Sequence, residues 1–236
     1  MNLFFDPNVA TNVNQFLLNA DETHHALKVL RLRSGDEIYI TNGKGSIFKG
    51  LLMAVAGKEA QIGNLRLEQQ QERHYNIHLA LSPVKNLSRV EWLLEKATEI
   101  GVSEISFVNC QRTQRSRLRP DRLHKIVVEA MKQSMNAFLP AINEIMPLEN
   151  YLEREHPEQC FIAHCETGTE QHLARQYKKG KDVTLLIGPE GDFTPDEVAL
   201  ACAKGFAEVS LGDTRLRTET AAFMAVAAVH VLNRQM

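Results

Sequence analysis

Val183-Thr184-Leu185-Leu186-Ile187 is nearly all apolar and runs straight into Gly188-Pro189-Glu190-Gly191. A strand with one wet face alternates apolar and polar residues. One this uniform has to be covered on both faces, which is the situation of a strand in a parallel sheet flanked by helices. The chain from Tyr75 onward agrees. Candidate strands at 77–82, 104–109, 141–146, 159–164 and 208–211 alternate with helical patterns, and that alternation predicts an α/β domain over residues 73–236.

Residues 1–72 read differently, as a small β-rich unit. Asp36-Glu37-Ile38-Tyr39-Ile40-Thr41 is a strand pattern, and the following Asn42-Gly43 predicts a hairpin turn because both residues accept φ > 0. Residues 47–55 and 60–67 continue as strands, and 21–30 read as one short helix capped by Asp21. The polar, aperiodic Glu68-Gln69-Gln70-Gln71-Glu72-Arg73 places the domain boundary.

The helices of the second part announce their ends. Ser88-Arg89-Val90-Glu91 reads as a capping box, Gly101 as a C-terminal stop, and Val90, Leu93, Leu94 and Ala97 as the buried stripe between them. A second helix has Pro120 in its first turn and Pro140 just past its end. Its period turns Leu123, Ile126, Val127, Ala130 and Ser134 inward and puts Arg122, Lys125, Glu129, Lys132 and Asn136 on the opposite stripe. The last helix, about 218–233, is apolar almost all round, so it needs burial in the core or against a second subunit.

Several classes are excluded. No apolar run approaches the roughly 20 residues that span a bilayer, and the N-terminal residues lack a basic, then apolar, secretory pattern, so a cytoplasmic, membrane-free protein is expected. Cys110, Cys160, Cys165 and Cys202 form no CxxC pair and read as reduced thiols. Cys160, His164 and Cys165 match no common zinc spacing, so no metal is expected. Net charge is only −2, yet residues 112–125 hold six Lys/Arg against the single acid Asp121, and His24, His25, Lys28, Arg31 and Arg33 crowd a second stretch. Such asymmetry fits a face that tracks phosphates, or equally a solvated surface.

Two late turns carry the chemical interest. In the first, Thr194 caps the next helix with Pro195 at its first position and Glu197 closing the box, while Gly188 and Gly191 let backbone approach a ligand. The turn follows a strand's carboxyl end, where α/β sheets bind ligands. In the second, Leu211-Gly212-Asp213-Thr214-Arg215-Leu216-Arg217-Thr218-Glu219, Thr218 reads as an N-cap and Glu219 is favoured by the helix dipole. Arg215 and Arg217 are disfavoured there, which points to an anionic or strongly polar partner. There is no Walker loop, no H-E-x-x-H and no G-x-S-x-G, and Ser82-Pro83-Val84-Lys85-Asn86 lacks the glycines of a Rossmann site.

Gly188-Pro189-Glu190-Gly191-Asp192-Phe193 and Leu211-Gly212 through Leu216-Arg217-Thr218-Glu219-Thr220-Ala221 resemble the signature of the bacterial RsmE family. His25–Arg33, the segment Glu91-Trp92-Leu93-Leu94-Glu95-Lys96-Ala97-Thr98-Glu99-Ile100-Gly101-Val102 and Glu129-Ala130-Met131-Lys132-Gln133-Ser134 are similar to further blocks of it, in the same order. Asp192 stands where the family has glycine, and Asp213-Thr214-Arg215 where proline and isoleucine are commoner. The resemblance implies a methyltransferase that uses S-adenosylmethionine and acts on N3 of a uridine in 16S ribosomal RNA of the small ribosomal subunit. It implies a SPOUT fold: a parallel sheet with a C-terminal trefoil knot, after a PUA-like RNA-binding β-barrel over 1–72, assembled as a homodimer. It implies cofactor contacts from His164, Ile187, Gly188, Pro189, Gly191, Leu211, Gly212, Leu216 and Thr218. Glu190 and Glu219 become candidate bases and Arg217 a stabiliser of the uracil anion. RNA contacts would come from His25, Arg31, Arg33, Arg112, Arg115, Arg117, Arg119 and Lys132. An RNA-binding ribosome-assembly protein that keeps the knotted fold, or a methyltransferase acting at another RNA position, stays open as an alternative.

Overall fold

The computed structural model describes residues 2–11, 13–114, 117–165 and 171–234. They divide into two units, Met1–Arg73 with Met131–Leu139, and His74–Ala130 with Pro140–Met236.

The first unit holds strands β1 (Leu3–Phe5), β2 (Gln15–Leu18), β3 (Glu37–Thr41), β4 (Ser46–Ala56) and β5 (Glu59–Gln70), with helix α1 (Ala20–His24) after β2. They form a mixed sheet in the order β1-β3-β4-β5-β2, only β1 and β3 pairing in parallel. Phe4, Leu18, Ile38, Ile40, Phe48 and Ile62 fill its core. Several local expectations are corrected. β1 and β2 were not anticipated, being too short to show a period. β5 continues through the polar stretch read as a linker, because Gln69 and Gln70 pair with Ile47 and Ser46 of β4 and Ser46 Oγ donates to Gln70 Oε1 at 2.8 Å. The β3–β4 connection is longer than a two-residue turn: the positive φ values fall on Gly43 (72°) and Gly45 (99°), and the Asn42 side chain accepts from Lys44 N at 2.8 Å. Helix α1 is capped by Asn19, not Asp21, and passes into a π-helical turn over His25–Val29. Met131–Leu139 joins this unit through backbone bonds such as Leu139 N to Gly43 O (3.0 Å).

The second unit contains β6 (Ile77–Leu81), α2 (Leu87–Glu99), β7 (Glu104–Asn109), α3 (Pro120–Gln133, its last turn counted with the first unit), β8 (Ala141–Pro147) and α4 (Leu148–Leu152). There follow β9 (Gln159–Ala163), α5 (Leu173–Gln176), β10 (Val183–Ile187), α6 (Pro195–Ala203), β11 (Ala207–Val209) and α7 (Thr218–Arg234). The sheet is parallel throughout, in the order β11-β9-β10-β6-β7-β8. All five residues of β10 are buried, which is why its sequence shows no polar face.

Helix α6 starts as its sequence reads, with Thr194 N donating to Glu197 Oε2 (2.8 Å) and Glu197 N to Thr194 Oγ1 (3.3 Å). Helix α2 starts earlier than expected: Asn86 is the cap, accepting from Ser88 N at 3.0 Å, and Gly101 ends it at φ 91°. Thr218 is the first residue of α7 rather than its cap. Helix α7 buries Ala222, Ala225, Val226 and Val229, while Met224 and Val231, and Trp92 of α2 beside Phe223, stay exposed. No described helix is long and apolar enough to cross a membrane. No group of metal-ligating side chains is found among the described residues.

Candidate ligand site

Parallel pairing brings the carboxyl ends of β9, β10 and β11 to one edge of the sheet, where the loops that follow them enclose a cavity of about 820 Å³. That size suits a nucleoside-sized ligand. Its walls come from Ala163–Cys165 at the end of β9, from Ile187–Glu190 and Asp192 at the end of β10, from Ser210–Arg217 after β11 with Thr218 at the start of α7, and from Arg89 of α2.

The bend after β10 is held from both sides. Asp192 adopts φ 63°, the left-handed region where glycine is the ordinary occupant, which accounts for the glycine of the resemblance. As aspartate it adds bonds: Oδ1 accepts from Phe193 N (2.9 Å) and Oδ2 from Cys165 N (2.8 Å), tying this bend to the end of β9. From the other side Arg112 Nη1 donates to Gly191 O at 2.8 Å and Phe193 O at 3.3 Å. Gly188 is needed for packing, since a Cβ there would lie 2.9 Å from the ring of Phe193. In the bend after β11, Gly212 has φ 138° and open space where a side chain would be.

Charge is arranged in two groups. Arg215 and Arg217 are exposed on the cavity wall. Arg89 lies between two carboxylates, its Nε 3.4 Å from Glu219 Oε1 and its Nη1 3.9 Å from Glu190 Oε1. Glu219 is buried, and its Oε2 has no hydrogen-bond partner among the described residues. Burial and then the Asp192 carboxylate push the Cys165 thiol up, so it is no thiolate nucleophile at neutral pH.

Residues 71–230 match the family described as RNA methyltransferase domain, and residues 18–62 the RNA methyltransferase PUA domain. The chain belongs to the RNA methyltransferase domain family. It is 29% identical over 221 residues, 91% of this chain and 72% of the relative, to ribosomal RNA small subunit methyltransferase E of Synechocystis. A crystal structure described as a probable rRNA-methyltransferase from Porphyromonas gingivalis is 36% identical, with TM-score 0.90 and 99% of each chain covered. The Neisseria gonorrhoeae ribosomal RNA small subunit methyltransferase E, solved bound to S-adenosyl methionine, is 28% identical, with TM-score 0.88 and 98% of each chain covered.

Against this geometry the residues singled out from sequence separate cleanly. His164, Ile187, Gly188, Pro189, Leu211, Gly212, Leu216 and Thr218 line the cavity, with Glu190 and Arg217 among them. The His164 side chain is only 2% exposed and bonded to Glu208 (2.7 Å), so its main chain is what faces the cavity. Gly191 lies outside the wall with its carbonyl turned to Arg112, and Glu219 sits behind Arg89. Arg31, Arg33, Arg117 and Arg119 are exposed. His25 is half-buried against the Phe4 ring. Lys132 is corrected: it is 8% exposed and its Nζ bonds both carboxylate oxygens of Glu22, at 2.8 and 3.1 Å, so it offers no surface cation. Arg115 lies outside the described residues. Sequence reasoning missed Arg89 and Asp192 as structural members of the site. The usable signal for Arg89 was a cation in a helix's first turn, where the dipole opposes it.

Proposed function

We propose that the protein transfers a methyl group from S-adenosylmethionine to N3 of a uridine in 16S ribosomal RNA of the small subunit. The observation that carries this is the cavity shared by the bends after β9, β10 and β11, in a chain of the RNA methyltransferase domain family. The lining fits a nucleoside: Ile187–Pro189 and Leu211–Leu216 form the walls, with a glycine without obstruction at 212 and apolar Leu211, Leu216 and Ala221. The Neisseria relative, solved with S-adenosyl methionine, supports the same ligand here. S-adenosylmethionine supplies, when bound, a methyl group on a positively charged sulfur.

The chain's own work is to place N3 in line with that methyl at near-attack distance and to manage the N3 proton. Uracil N3 is protonated at neutral pH, and a carboxylate within reach is the natural acceptor. Glu190 takes this role because it lines the cavity, whereas Glu219 is buried behind Arg89. Arg217 stabilises the charge that spreads to O2 and O4 as the proton leaves. RNA is held electrostatically by Arg31 and Arg33 of the first unit and by Arg117 and Arg119 of the second.

Three further features follow from the resemblance: a trefoil knot in the C-terminal segment, a cytoplasmic location, and a homodimer, for which exposed Trp92, Met224 and Val231 offer apolar surface. The reaction is tested with labelled S-adenosylmethionine, small subunits from a strain lacking this activity, and nucleoside mapping. Label in 3-methyluridine is expected. Label in another nucleoside, or none, contradicts the proposal.

A further inference from the structure

We propose that Arg89 is a positioning residue, anchored by buried Glu219 so that its other edge fixes the Glu190 carboxylate at the cavity wall. The inference rests on the methyl-transfer reading and deepens it, by giving the two acidic residues different tasks.

The argument begins with Glu219. A carboxylate in the first turn of α7 gains from the helix dipole, yet it is buried, with one oxygen lacking a hydrogen-bond partner among the described residues. A buried charge needs a counter-charge, and Arg89 supplies it from α2, Nε to Oε1 at 3.4 Å. A guanidinium carries donors on more than one edge in a rigid plane, so engaging one carboxylate leaves donors in a fixed direction for another. Here the second carboxylate is Glu190, 3.9 Å from Nη1. Glu190 lies on the tight bend after β10, and both it and Arg89 line the cavity while Glu219 does not.

The placement also argues against Arg89 as an anion receptor for the ligand. Two carboxylates already face its single charge, whereas no carboxylate is paired with Arg215 or Arg217 among the described residues. Lysine would not do the same work, being a point charge without the fork.

The test is a set of variants of the full chain: Glu190→Gln, Arg89→Gln, Arg89→Lys, Glu219→Gln and the double variant Arg89→Gln/Glu190→Gln. Each is assayed for kcat and KM on small subunits, for S-adenosylmethionine affinity by calorimetry, and for Tm. Glu190→Gln is expected to lower kcat on the order of a hundredfold. Arg89→Gln should lower it roughly tenfold or more by misplacing that carboxylate, with KM and cofactor affinity near wild type. The double variant should be no slower than Glu190→Gln alone, because Arg89 acts only through Glu190. Should Arg89→Gln fail to fold, Arg89→Lys keeps the charge beside Glu219 and is expected to lower kcat with cofactor affinity retained.

Wild-type kcat in Arg89→Gln, or in Arg89→Lys where that stands in, overturns the inference. So do multiplying losses in the double variant, a primary loss of cofactor affinity, or a larger kcat loss in Glu219→Gln than in Glu190→Gln. Failure of the underlying reading looks different: Glu190→Gln then methylates at the wild-type rate, or the wild-type protein binds no S-adenosylmethionine.

Discussion

Lys132 tests how far an exposed-looking cation can be trusted. The helical period puts it on the polar stripe of α3, but its Nζ lies 2.8 and 3.1 Å from the two oxygens of Glu22, with side-chain exposures of 8% and 10%. Truncating one partner of such a pair leaves the other charge buried and uncompensated, at a cost of about 3–5 kcal/mol. Lys132→Met should therefore lower the urea midpoint of the first unit by roughly 2 M, for a slope of about 1–3 kcal/mol per molar. Lys132→Met/Glu22→Leu, which removes both charges, should recover most of that loss. RNA binding should separate from stability. Measured below the melting transition, the dependence of log affinity on log salt should keep its slope in Lys132→Met, because no phosphate contact is lost. Arg117→Ala and Arg119→Ala should each reduce the slope by about one. A Lys132→Met variant of wild-type stability with a shallower salt slope would refute the burial argument.

Gly188→Ala puts a Cβ 2.9 Å from the ring of Phe193, itself 2% exposed. The ring must shift, so a loss of about 1–3 kcal/mol by urea unfolding and weaker S-adenosylmethionine binding by calorimetry are expected; an unchanged variant would show that the bend yields freely. His78 is held down at about 4, chiefly by burial and against the opposing pull of Glu104. Between pH 4 and 6.5 the unfolded chain therefore binds a proton that the folded one refuses. Stability should be complete above pH 6.5 and fall as pH drops toward 4, by up to about 3 kcal/mol. Urea midpoints across that range check it, and His78→Phe should flatten the curve.

What could be read from sequence divides along physical lines. The uniform apolar run of β10 and the Thr194–Glu197 box are local statements, and the fold reproduces them. Asn19 and Asn86 each cap a helix two positions ahead of Asp21 and Ser88, which are equally competent capping side chains nearby. The strand at Gln69–Gln70 was invisible because its pairing is made by backbone, whatever the side chains. Lys132 was misplaced since its partner is 110 residues away. Arg89 escaped for a similar reason: reading Ser88 as a cap explained the segment locally, while the carboxylates that give Arg89 a purpose lie on the bend after β10 and the first turn of α7. Gly188 and Gly212 were legible as glycines, but that one closes on Phe193 and the other on open space required coordinates.

The structure of the full chain crystallised with S-adenosylmethionine tests the central claim most directly. The account predicts the nucleoside seated among Gly188, Leu211, Gly212 and Leu216, with its sulfur open toward Glu190 and Arg217. A ligand bound elsewhere, or those bends closed on one another with the cofactor excluded, would contradict it.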